Sequence, residues 1–141
     1  MQKCILTAII NAFNCVSDDE TRYAMTNVLL TSDGKQVIIE ATNGYCLSRV
    51  EIADDIASEI KGKRLLVSKD QLPLLKLIVK VLGRVMNSVP TAWVDGQFTI
   101  GSQPLTTVVV TLKNDGTDFK YPNLEAIWPK ESEGVALIAF Y

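Results

Sequence analysis

Apolar residues recur at helical spacing over residues 2–16. Ile5, Leu6, Ile9, Ile10, Ala12, Phe13 and Val16 fall on one side, with Lys3, Thr7, Asn11 and Asn14 on the other. The run Ser17-Asp18-Asp19-Glu20 ends this amphipathic helix as an acidic loop. The pattern then becomes that of strands. Residues 23–31 and 35–41 flank Ser32-Asp33-Gly34 and predict a hairpin, and after Asn43-Gly44 residues 45–52 alternate like a half-exposed strand. Residues 53–63 are a polar connection with room for a short helical turn, and Arg64-Leu65-Leu66-Val67 is a short strand. Ser68 is placed to cap a second helix over residues 69–82, with Pro73 near its first turn and Gly83 as its stop. Ala92-Trp93-Val94 and Gln97-Phe98-Thr99-Ile100 flank Asp95-Gly96 as a second hairpin, and residues 105–112 form a β-branched strand. Asn114-Asp115-Gly116 turns the chain. Tyr121-Pro122-Asn123 and Trp128-Pro129-Lys130 are proline-marked extended segments, and residues 135–141 are a last apolar strand.

Two helices among seven to eight strands predict an α+β domain, with both helices packed on one face of antiparallel sheet. The 141 residues suffice for one domain with a sizeable core, assigned to residues 1–130, with 131–141 as linker and terminal strand. No run of 18 apolar residues is present, so no membrane span is expected. Histidine is absent, which removes Ser-His-Asp and Cys-His catalysis and His-ligated zinc. Phosphate-binding glycine loops and clustered metal ligands are absent too, so the expectation is a non-enzyme without cofactor or metal. Cys4, Cys15 and Cys46 form no C-x-x-C; they suit a reduced cytoplasmic protein, with Cys4 and Cys15 as buried thiols.

Charge changes the picture more than composition does. Lys61, Lys63, Arg64, Lys69, Lys76, Lys80 and Arg84 are seven of the 14 basic residues, and Asp70 is the one acid among them. That window carries +6 in a chain whose net charge is −2. At 100° per residue, Lys69, Lys76, Lys80 and Arg84 project within about 80° of one another, opposite Leu74, Leu75, Ile78, Val81 and Leu82. A solvated surface helix accounts for such a stripe; so does a helix facing phosphate.

Four motifs carry a family resemblance. Glu20-Thr21-Arg22-Tyr23-Ala24-Met25-Thr26-Asn27-Val28-Leu29-Leu30 is followed by Ala41-Thr42-Asn43-Gly44-Tyr45-Cys46-Leu47, then by Leu66-Val67-Ser68-Lys69-Asp70-Gln71-Leu72, then by residues 120–130 around Tyr121-Pro122-Asn123 and Trp128-Pro129-Lys130. In this order they resemble the middle domain of the bacterial sliding clamp, the DNA polymerase III beta subunit. The resemblance implies a DNA-clamp-like domain whose inner helices meet double-stranded DNA without reading its sequence. It assigns the DNA-facing role to Lys69, Lys76, Lys80, Arg84 and Lys3. It also implies a pocket for short apolar motifs of polymerase or repair proteins, carried by Met25, Thr42, Gly44, Tyr45, Cys46, Leu47 and Pro129. Asn43 stands where the family has Asp, Tyr45 where it has His, and Cys46 where it has Arg. A family polypeptide holds three such domains, whereas this chain holds one. Residues 135–141 are therefore expected to complete their own sheet or to join a neighbouring copy. The alternative is a module, or a fragment of a larger clamp-like protein, that binds clamp partners without encircling DNA.

Overall fold

The computed structural model describes residues 2–81, 91–94, 97–102, 106–111, 113–114 and 121–126. Helix α1 spans Lys3–Ala12 and runs on as a 3-10 turn, Phe13–Cys15. A second 3-10 segment, Glu20–Thr26, precedes strands β1 (Val28–Ser32), β2 (Gln36–Thr42) and β3 (Leu47–Ala53). Then come the single-turn helix α2 (Ile56–Glu59), β4 (Leu65–Val67), a 3-10 turn Lys69–Gln71 and α3 (Leu72–Val81). Strands β5 (Thr91–Val94), β6 (Gln97–Ser102), β7 (Thr106–Thr111) and β8 (Lys113–Asn114) follow, with a 3-10 turn at Leu124–Ala126.

Among the described residues the strands form one sheet in the order β3-β2-β1-β4-β8 and another in the order β5-β6-β7, antiparallel throughout. In the first sheet the register places Leu30 opposite both Ile39 and Leu65, and Leu29 opposite Glu40 and Leu66. Alternation along each strand then separates the two faces. Val28, Leu30, Val37, Ile39, Ala41, Leu65 and Val67 join Ile5, Leu6 and Ile9 of α1 and Leu75 and Ile78 of α3 in one core. Leu29 and Leu66 point the other way, where Tyr121 and Leu124 of the return segment cover them. The helices thus take one sheet face and the proline-marked return takes the other.

The β1–β2 turn is held by side chains. Asp33 Oδ1 accepts from the backbone N–H groups of Lys35 (2.8 Å) and Gln36 (2.7 Å), which hold its carboxyl below the ordinary range. Ser32 Oγ donates to the Ala57 carbonyl at 2.6 Å and so fastens this hairpin to α2.

Several expectations are corrected. Residues 23–26 are not strand: Asp19 accepts from Thr21 N–H as an N-cap, while Thr26 Oγ1 and Asn27 Nδ2 both donate to the Tyr23 carbonyl, closing a 3-10 segment. Residues 69–71 are likewise 3-10, with Ser68 Oγ accepting from Asp70 N–H. Cys4 is exposed rather than buried, and Cys15 pairs with Cys46 in a disulfide, Cα atoms 6.2 Å apart. The terminal strand expected at residues 135–141 lies outside the described residues.

Candidate functional site

Helix α3 turns Leu75 and Ile78 into the core and leaves Lys76 and Lys80 exposed. The outward face is not purely cationic. Leu77 is 52% exposed and Leu74 36%, so Leu74 does not belong to the dry side where uniform helical spacing puts it. The 3-10 turn at residues 69–71 advances about 120° per residue, which breaks the phase between Lys69 and α3. Lys69 Nζ instead reaches across to Asp18 Oδ1 at 2.8 Å, forming an exposed ion pair beside the acidic loop. Lys3 lies in the first turn of α1 and lines a groove of about 570 Å³ between α1 and β3, with Ser48, Val50 and Ile52 opposite. Arg84 lies outside the described residues.

The hydrogen bond and charge of Lys69 hold the Asp18 carboxyl below its ordinary value of 3.8. The pair's contribution is therefore present above that value and is lost as pH falls through the lower folded one. Lys69→Met is expected to return the Asp18 titration, followed by NMR, to the ordinary carboxylate range.

The second candidate surface is built on the turn between β2 and β3. Asn43 Oδ1 accepts from Tyr45 N–H (2.8 Å) and Cys46 N–H (2.9 Å), the same service a carboxylate gives at that position. Thr42 Oγ1 donates to the Cys46 carbonyl (2.8 Å) and accepts from Gly44 N–H (3.1 Å). Gly44 has φ +91°, and a Cβ there would stand 3.3 Å from Arg22 Nη1 and 3.6 Å from Met25 Cε. The turn thus packs directly on the Glu20–Thr26 segment. Ser17 N–H in turn donates to the Met25 carbonyl at 2.8 Å.

The structure brings Met25, Thr42 and Gly44 together here, with Arg22 added, a residue the sequence reading quoted in a motif but did not assign to the site. Leu47 packs instead on the outer-face cluster of Leu29, Leu66, Tyr121 and Leu124. Tyr45 is 96% exposed at the tip, and Pro129 lies outside the described residues. Gly44→Ala is expected to cost about 1–2 kcal/mol in urea unfolding, because both the positive φ and the Arg22 contact oppose a side chain.

Beside this turn the outer sheet face carries a charged network. Arg49 pairs with Glu125, with Glu51 (2.9 Å) and with Glu40 (3.8 Å), tying the return segment to β3. Burial pushes the Glu40 carboxyl above its ordinary value of 4.5, and Arg49 opposes the shift only in part. A raised folded value means that stability present below 4.5 is lost as pH rises through the folded one. Glu40→Gln is expected to flatten the pH dependence of the urea midpoint in that window. Burial also pushes the Tyr121 phenol up, with a Thr42 backbone contact opposing it.

Among the described residues no group of three His, Cys, Asp or Glu side chains is placed to hold a metal ion. No helix among them is long and apolar enough to cross a membrane.

No protein-family model matches the chain, and no curated protein sequence matches it. Solved structures do. The DNA polymerase sliding clamp of Bacillus subtilis superposes with TM-score 0.71 over 94% of this chain at 19% identity. The beta subunit of the Streptococcus pyogenes DNA polymerase does so with TM-score 0.69 over 93% at 20% identity, and the DNA polymerase III beta chain of Streptococcus pneumoniae with TM-score 0.66 over 93% at 18%. The fold is that of a sliding-clamp domain. The chain spans about a third of each of these clamps, 33% of their length. The motif resemblance thus agrees with the backbone arrangement. In this clamp-like domain α1 and α3 pack against each other and share the sheet face opposite Tyr121 and Leu124.

Proposed function

We propose that this clamp-like domain is a processivity-factor-like accessory of cytoplasmic DNA replication or repair. It contacts duplex DNA without sequence preference through Lys76 and Lys80 of α3, with Lys69, Arg84 and Lys3 as further cationic contacts. It docks short apolar segments of polymerase or repair proteins at residues 42–47, together with Met25 and Pro129. The observation that carries the reading is the pair of exposed lysines on a core-anchored helix of a clamp fold, in a chain whose net charge is −2. Lysines so placed neutralise phosphate and release counterions, which is attraction without sequence readout.

In this reading copies of the chain assemble around the duplex, through the apolar segment 135–141, which lies outside the described residues. Sizing in solution combined with retention on DNA tests this. The reading expects an oligomer held on circular duplex and released when the circle is cut; a monomer with equal retention on both forms contradicts it.

A second reading is compatible with the same structural likeness. Here the domain, alone or as part of a longer clamp-like protein, keeps the docking turn and binds clamp partners without encircling DNA. It then binds a leucine- and phenylalanine-bearing peptide as a monomer, with no dependence on DNA topology.

A further inference from the structure

Three features of the molecule remain: the groove between α1 and β3, the polar recess beside Asp18 and Lys69, and the Cys15–Cys46 pair. The pair carries an inference furthest, because two independent structural devices bring its members together. On one side, Phe13 and Val16 are buried and fix the 3-10 turn that ends α1, so that Cys15 is held half-buried against the domain. On the other, the Asn43 and Thr42 side chains fix the backbone of Cys46, which is exposed at the turn. The Cα atoms stand 6.2 Å apart, within the span a disulfide bridges, and 31 positions separate the residues in sequence. Cys4, the remaining thiol, lies near the opposite end of α1 and lines the α1–β3 groove.

We propose that Cys15 and Cys46 form a reversible redox latch that sets the mobility of the turn at residues 42–47. The oxidant is a low-molecular-weight disulfide. The exposed Cys46 thiolate attacks it, forming a mixed disulfide and expelling one thiolate. The Cys15 thiolate then attacks the Cys46 sulfur, forming the internal bond and expelling the second. Two protein thiols give up two electrons and two protons, and one small disulfide becomes two thiols. Oxidised, the latch ties the turn to the end of α1; reduced, it leaves the turn to the Asn43 and Thr42 hydrogen bonds and to its packing on Arg22 and Met25. The effect on partner docking rests on the reading above, whereas the latch itself does not.

The test uses the whole chain carrying Cys4→Ser, treated with oxidised glutathione or with a phosphine reductant. Alkylation read by mass spectrometry should find two reactive thiols in the reduced protein and none in the oxidised one. Amide exchange at residues 43–47 should be about ten-fold slower in the oxidised form. Adding Cys15→Ser or Cys46→Ser should abolish that difference. A thiol that stays alkylatable after oxidation, or equal exchange in both forms, overturns the latch. A leucine- and phenylalanine-bearing peptide titrated into both forms reads docking separately. Different affinities support the coupling and equal affinities overturn it. Binding to neither form counts against the docking reading, and the thiol and exchange results then decide the latch.

Discussion

Lys76→Ala combined with Lys80→Ala is expected to weaken duplex DNA binding roughly 60-fold at 0.1 M salt, by loss of two phosphate contacts. The same pair should lower the slope of log affinity against log salt by about 1.8, since each neutralised phosphate contributes about 0.9. The effect should be equal on unrelated DNA sequences, because lysines aimed at phosphate carry no base information. Both residues sit on the exposed face of α3, and alanine is at least as good a helix former as lysine, so the fold is left intact. Lys69→Ala should do less. Its ammonium already serves Asp18 at 2.8 Å, and binding phosphate means giving up that partner. Fluorescence anisotropy across a salt series measures both variants.

Leu30→Ala is expected to destabilise the domain by about 3 kcal/mol, within the 2–5 kcal/mol seen when buried leucines are truncated. Leu30 is 1% exposed, in the middle of β1, opposite Ile39 on one neighbour and Leu65 on the other. The side chain belongs to the core that both helices share with the sheet, and close-packed neighbours collapse only partly into the space it leaves. Leu77→Ala, by contrast, removes a side chain that is 52% exposed and should change stability by less than about 1 kcal/mol. Urea unfolding monitored by circular dichroism distinguishes the two. Equal losses would mean that α3 buries a different face from the one described.

Much of this architecture was legible in the order of residues. The helical spacing of Ile5, Leu6 and Ile9 marks α1, and Asp33-Gly34 between two apolar runs marks the β1–β2 hairpin. The clamp fold was legible through short motifs joined in order. What the residues hid is local phase and distant pairing. Tyr23, Ala24 and Met25 run straight into Val28-Leu29-Leu30 and look like one strand, but the side chains of Asp19, Thr26 and Asn27 compete for that backbone and fold it as 3-10. The exposure of Leu74 follows from its place about 70° from the mean direction of Leu75 and Ile78, at the edge of the buried stripe. The contact of Cys15 with Cys46 spans 31 positions and leaves no short spacing to read. Of the candidate site, Met25, Thr42 and Gly44 lie together, whereas Leu47 turns to the cluster with Leu29, Leu66, Tyr121 and Leu124 and Lys69 to Asp18.

On the proposed function, α3 is the face this domain offers to nucleic acid. Titrating a short duplex into isotope-labelled protein and following amide and lysine signals by NMR tests it most directly. The shifts are expected to centre on Lys76 and Lys80 and to fade as salt is raised. Shifts confined to the outer sheet face around Arg49 and Glu125, or none at low salt, would contradict it.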